Sequence, residues 1–220
     1  IAEHPDCYVQ THLSENLFEI SETLRLFPNA PDYTGVYERF GLLGSKSLFG
    51  HCIHLSDRER DVLAESNSVA VFCPSSNLFL GSGLFDYPGV QAANIRLAFG
   101  SDIGAGTSCS MLMPAADAYK VCQLRGHSLN PLESFYGLTL GNARALSLEP
   151  RIGTLDIGTD ADLIVLNSQA THAMRTRMLS VESLSDELFV IQTLGDDRAI
   201  EETYIAGSPH KSPLKAVNRL

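Results

Sequence analysis

Four side chains in this 220-residue sequence have the types that hydrolytic chemistry uses: His12, Glu15, His51 and Asp102. Three of them close different apolar runs. His12 follows Cys7-Tyr8-Val9-Gln10-Thr11, and His51 follows Ser47-Leu48-Phe49-Gly50. Asp102 follows Ile95-Arg96-Leu97-Ala98-Phe99 through Gly100-Ser101. An imidazole and a carboxylate can ligate zinc, and zinc brings the pKa of its bound water to about 7. A second carboxylate close by can then take a proton from that water and deliver it to a leaving nitrogen. Glu15 stands three residues after His12, and the expectation is one helical turn between them, with both facing one cavity. Each residue also has a plainer role. A His after a strand can be a hydrogen-bonded structural residue, an Asp before glycines can make a turn, and a Glu can favour a helix N-terminus. Their common placement at strand ends is what argues for chemistry.

Other polar groups carry weaker signals. Gly104-Ala105-Gly106-Thr107-Ser108 lacks a full G-x-G-x-x-G pattern and a P-loop Lys, so it reads as backbone freedom for a tight turn after Asp102. Cys73-Pro74-Ser75-Ser76-Asn77 either lines a pocket with small polar groups or is a plain turn. His54, three residues past His51, reads as structural with a pocket role as the alternative, and His4, His127, His172 and His210 have no partner at ligand spacing. The Met and Phe residues read as core.

The elements that must position these groups repeat one unit over residues 1 to about 125: a short apolar run, a polar residue, then a helical stretch. Leu17, Ile20, Leu24 and Phe27 keep helical spacing over 15–27, and a second short helix is expected around 34–43. Ser56-Asp57-Arg58-Glu59 reads as a helix start, with Ser56 as N-cap and Glu59 three residues on. Val69-Ala70-Val71-Phe72-Cys73 is the third run, and a Gly-rich loop is expected before the fourth. Helices are expected over 110–125 and from Pro131 to about 146. Near-continuous apolar strands separated by helices indicate a parallel sheet covered on both faces. Four such units make half of an eight-stranded barrel, whose strand C-termini open on one face where catalytic groups collect. A doubly wound open sheet is the structural competitor.

The fold class expected is therefore α/β: the second half of a (β/α)8 TIM-type barrel over 1–149, with part of a small β-rich domain over 150–220. In the latter, residues 152–166 are turn-rich and end in a strand, Ser185-Asp186-Glu187 opens a helix, and a last strand runs over about 199–206.

The net charge of −10 and the absence of a Lys/Arg cluster exclude backbone binding to nucleic acid. Apolar runs such as 69–73 and 163–166 are far too short to cross a bilayer, so no membrane is expected as partner. The N-terminal residues carry no signal-peptide pattern, and without an initiator Met the segment is expected to be cut from a longer protein. Cys7, Cys52, Cys73, Cys109 and Cys122 are odd in number with no Cys-x-x-Cys spacing, and four of the five sit among apolar residues. Buried, reduced thiols and a cytoplasmic location are expected.

With these residues in view, the sequence resembles the amidohydrolase superfamily, and the guanine deaminases within it. The matching stretches are Thr11-His12-Leu13-Ser14-Glu15-Asn16, Gly50-His51-Cys52-Ile53-His54-Leu55-Ser56, Cys73-Pro74-Ser75-Ser76-Asn77-Leu78 and Gly100-Ser101-Asp102-Ile103-Gly104-Ala105-Gly106. Ile152-Gly153-Thr154-Leu155 with Ala161-Asp162-Leu163-Ile164-Val165, and Leu194-Gly195-Asp196-Asp197-Arg198, continue it in order. The resemblance implies that guanine is hydrolysed to xanthine and ammonia at one zinc ion, with iron the alternative metal. It implies that His12 and Asp102 are metal ligands and that Asp102 also hydrogen-bonds the attacking water. Glu15 is implied as the proton shuttle and His51 as the group that polarises or positions water and purine substrate. A homodimer is implied as well. One departure matters: the family's His-x-His pair has no counterpart here. A catalytic zinc site uses about three protein ligands. The expectation is thus that this chain alone is inactive and is a fragment, an incomplete gene product, or one piece of a two-piece barrel that pairs with a complementary N-terminal half. Two other readings stand beside this one: an amidohydrolase acting on a different amino-heterocycle, and a non-catalytic fragment.

Overall fold

The computed structural model describes residues 3, 4 and 6–211. The last nine residues of the expected 150–220 unit lie outside the described residues.

Four strands, β1 (Val9–Leu13), β2 (Ser47–His51), β3 (Val69–Phe72) and β4 (Arg96–Phe99), form one parallel sheet in the order β1-β2-β3-β4. The register aligns His12 with Gly50, Gly50 with Val71, and Val71 with Ala98. Side chains alternate between faces, so Leu13, Phe49, Ala70 and Phe72 turn to one face and are buried, with exposure no higher than 0%. That face is covered by helices and holds the main core, where the Phe72 ring stacks on Phe85 at 4.4 Å and meets Tyr87 and Phe99. The opposite face carries exposed Gln10 and His12 and half-buried Leu48, Gly50 and Val71. All-parallel sheets in proteins are normally covered on both faces. Here Val69 and Ala98 on that second face are buried with Ala145, and the edges at β1 and β4 have no neighbouring strand among the described residues.

The helices begin where their caps dictate. α1 (Leu17–Leu26) is capped by Asn16, whose side chain accepts from Glu19 N, and α2 (Tyr33–Arg39) by Asp32. α3 (Asp57–Glu65) has the complete Ser56/Glu59 capping box that its sequence announces. The stretch between the third and fourth strands, expected as a Gly-rich loop, instead holds α4 (Pro74–Leu80) and α5 (Tyr87–Ala92). Each has Pro in its first turn, where the missing N–H costs nothing, and Asp86 caps α5. α6 (Leu112–Leu124) follows β4. The helix expected over 131–146 is continuous but not uniform: α7 (Pro131–Tyr136), a π-turn over Gly137–Gly141, then α8 (Asn142–Ala145). A Cβ at Gly137 would stand 2.5 Å from the Phe99 ring, so glycine lets this helix approach β4 closely. Asn142 then accepts from Phe99 N at 2.8 Å and donates to Phe99 O at 3.1 Å, pairing that edge of β4 with a side-chain amide.

The C-terminal region contains β5 (Leu163–Leu166), α9 (His172–Met178), α10 (Leu184–Leu194), β6 (Ile200–Ile205) and β7 (Ser208–Pro209). The three strands form a separate antiparallel sheet, β5-β6-β7. α9 has no counterpart among the helices that the sequence predicts. α10 packs on α6 through Leu112, Val190 and Ile191, with Met174 and Ala199 beside them. The thiols divide differently from expectation: Cys52, Cys73 and Cys122 are buried, whereas Cys7 and Cys109 are exposed. No helix among the described residues is long and apolar enough to cross a membrane.

Candidate active site

Because all four strands run parallel, their C-terminal ends share one end of the sheet, and His12, Glu15, His51 and Asp102 all lie there. The backbone is unusual at this end. Ser14, His51, Cys52 and Asp102 all have positive φ, at 50°, 71°, 49° and 47°. None is glycine, and such conformations cost free energy that the surroundings must offset.

At His51 the left-handed turn has a direct effect. Strict alternation would send its side chain to the helix-covered face with Phe49. Instead its ring stacks on that of His12, with centroids 5.4 Å apart and planes 9° from parallel. The ring is 2% exposed, and its Nδ1 lies 2.8 Å from Asn77 Oδ1. With an oxygen facing it, Nδ1 donates to Asn77, and this bond fixes the direction in which Nε2 points. Nε2 points toward Glu15, 3.7 Å from Oε2.

Glu15 is not one helical turn from His12, as expected. β1 ends at Leu13, Ser14 turns left-handed, and α1 starts only at Leu17. The acid that serves the helix start is Glu19, which accepts from Glu15 N at 2.9 Å. Glu15 is thereby released from helix capping. Its side chain is 14% exposed, accepts a hydrogen bond from Ser82 Oγ at 2.8 Å through Oε1, and presents Oε2 to His51.

Asp102 sits past the end of β4, in a loop closed by Gly106 N donating to Asp102 O at 2.6 Å. A Cβ at Gly106 would lie 1.8 Å from Ser101 O, so glycine is obligatory for this turn. Burial foremost, and then the Asp102 charge, push the Cys73 thiol up to about 12, with Glu15 adding to the effect. Both carboxylates therefore act on one thiol at the end of β3.

His12 and Asp102 are of the right type to hold zinc, and among the described residues neither side chain is engaged in a hydrogen bond. They stand on opposite edge strands, however, and no group of three metal-ligating side chains forms among the described residues. The donors fit a zinc ion in kind and fall short in number.

Two residues that the sequence left as pocket lining or did not single out, Asn77 and Ser82, touch His51 and Glu15 directly. His54 belongs to the same set, with Nε2 3.0 Å from Ser82 O. The Pro-Ser-Ser-Asn string was visible, but partners 26 and 67 residues apart in sequence leave no local pattern.

A parallel sheet with imidazoles and carboxylates gathered at the C-terminal ends of its strands is the arrangement of a (β/α)-barrel active site. The sequence pattern of the amidohydrolase family matches residues 1–209, and the chain belongs to that family. The guanine deaminase of Escherichia coli (strain K12) is 45% identical over 205 residues, which are 93% of this chain and 47% of that protein. The solved structure of E. coli guanine deaminase superposes with a TM-score of 0.94 at 43% identity, covering 96% of this chain and 50% of that one. Guanine deaminase from C. acetobutylicum, solved with guanine bound in the active site, gives 0.79 at 33% identity, over 91% and 48%. An adenosine deaminase from Xanthomonas campestris, solved with bound zinc, gives 0.81 at 25% identity, over 94% and 46%. The chain spans about half the length of the curated relatives it matches.

Proposed function

We propose that the intact protein to which this half barrel belongs hydrolyses guanine to xanthine and ammonia. The observation that carries the reading is the facing of Glu15 and His51 beside His12 at the C-terminal end of a parallel sheet, in a chain close in sequence to a guanine deaminase. Zinc is the ion proposed, with iron the alternative, and His12 and Asp102 are the donors this chain would give it. Such an ion, when bound, supplies a water acidified to neutral pH. Glu15 takes one proton from the attacking water and delivers it to the purine ring nitrogen, then takes the second from the hydroxyl added at C2 and delivers it to the amino group, which leaves as ammonia. His51 positions water and substrate through Nε2, held in that direction by the Nδ1 bond to Asn77. Asp102 accepts a hydrogen bond from the water as it attacks C2. Residues 1–149 serve as the barrel half and 150–220 as the β-rich appendage. The protein works in the cytoplasm as a homodimer, or joins a complementary N-terminal half.

Replacing Glu15 by Gln keeps size and hydrogen bonding to Ser82 but removes the proton acceptor. Ammonia release from guanine by the intact protein should fall by at least about 10³-fold, with its melting curve unchanged. Full turnover in Glu15→Gln removes the mechanism. Assays across adenine, cytosine and triazines separate guanine from other amino-heterocycles. The short donor set favours one competing reading, a non-catalytic fragment. Stoichiometric zinc in the purified 220-residue chain would count against that reading.

A further inference from the structure

Asn77 and Ser82 lie five residues apart on one short segment, and each holds one of the two groups that face each other in the site. Asn77, 1% exposed, meets His51 Nδ1, and Ser82 Oγ donates to Glu15 Oε1. Between them α4 ends in a tight, double hydrogen-bonded turn. Gly81 adopts φ 70°, its N–H donates to Leu78 O at 3.3 Å, and Ser82 N donates to Asn77 O at 2.9 Å. This is the Schellman arrangement, which closes a helix end in one geometry and needs a left-handed residue at its centre. The separation of Asn77 and Ser82 is therefore set by backbone hydrogen bonds, not by side-chain flexibility. A further contact fixes the segment to the β2 end: His54 Nε2 donates to Ser82 O at 3.0 Å. Gly83 allows that approach, since a Cβ there would stand 2.9 Å from Ile53 and 3.4 Å from His54 Nε2.

We infer that the Asn77–Ser82 segment is a positioning clip, in which a helix end holds the His51 ring with one side chain and the Glu15 carboxylate with another. The proposal rests on the reading of Glu15 as proton shuttle. Without the Ser82 hydroxyl, the Glu15 carboxylate keeps its place in the chain but rotates freely about its last torsions, and misplacement of a reacting group is costly in rate. Stability is little affected, because the carboxylate is partly open to water, which replaces the lost bond. Without Asn77, the His51 ring loses the partner that selects which nitrogen carries the proton.

The test uses the intact protein with guanine as substrate. Ser82→Ala should lower kcat about 10- to 100-fold with KM, metal content and melting temperature unchanged, and Ser82→Thr, which restores a hydroxyl, should recover most of the loss. Nitrogen NMR of the His51 ring in metal-free protein should report the proton on Nδ1, and Asn77→Ala should mix the two tautomers while Ser82→Ala does not. Retained kcat in Ser82→Ala, loss in step with unfolding, failure of Ser82→Thr to recover, or an unchanged ring signal in Asn77→Ala would overturn the clip. Glu15→Gln measured alongside separates the two ideas. Full turnover there refutes the shuttle reading, whereas loss there with full turnover in Ser82→Ala refutes the clip alone.

Discussion

Replacing Gly106 by Ala tests whether the loop after β4 exists to place Asp102. A Cβ at this position would sit 1.8 Å from Ser101 O and 2.9 Å from Asp102 O, and reaching the 3.0 Å limit of real contacts requires a shift of about 1.2 Å (3.0 minus 1.8). The colliding atoms are backbone, so no side chain can swing away to relieve the contact. The loop itself must move, and Ile103, Gly104 and Thr107 are exposed, which leaves it room to do so. The same movement breaks the 2.6 Å bond between Gly106 N and Asp102 O and disturbs the left-handed turn at Asp102. Misplacing a catalytic group by about 1 Å costs on the order of 10²-fold in rate, or about 2.7 kcal/mol of barrier. The strain is confined to a loop whose Ile103, Gly104 and Thr107 are exposed, so the melting temperature should fall by only a few degrees. The assay is ammonia release from guanine by the intact protein, with a melting curve in parallel. A kcat within threefold of the parent, together with a lowered melting temperature, would refute the claim that this turn positions a working carboxylate.

Three further outcomes follow from the same geometry. Arg96→Ala removes bonds from one guanidinium to the carbonyls of Ser45 and Asn67, at 2.7 and 3.1 Å, and of Arg144 and Ala145, at 2.6 and 3.0 Å. Those partners lie at the end of the sheet remote from the site, so a thermal melt should drop by roughly 2–3 kcal/mol of stability while KM for guanine stays constant. Alkylation at pH 8 should label Cys7 and Cys109 quickly, and Cys52, Cys73 and Cys122 only on unfolding, since burial raises all three of the latter thiols; mass spectrometry counts the adducts. The Cys73 thiol rises from its ordinary 9.0 to about 12 in the fold, so the unfolded chain loses this proton first. Its contribution is fully present below pH 9 and is lost as pH rises toward 12, at up to about 1.4 kcal/mol per pH unit. Cys73→Ala should flatten the alkaline limb of a denaturant-stability profile measured over that range.

Much of the fold is legible in the residues because its signals are local. The apolar runs at 69–73 and 95–99 are continuous enough to call a parallel sheet, and Ser56 with Glu59 announces the start of α3. The elements missed had signals that were outweighed. Gly81 and Gly83 made the stretch after β3 look like a loop, although Pro74 and the Asp86-Tyr87-Pro88 string each mark a helix start. Which groups stand at the strand ends, His12, His51 and Asp102, is written locally, because a strand, its polar terminus and the following helix are consecutive residues. How those groups are aimed is a property of the folded chain alone. The left-handed turn that brings the His51 ring over His12, and the helix end that holds His51 and Glu15 together, depend on contacts between segments far apart in the chain. Such conformations are unfavourable locally and persist only because distant packing and hydrogen bonds over-determine them, which is why no window of sequence contains them.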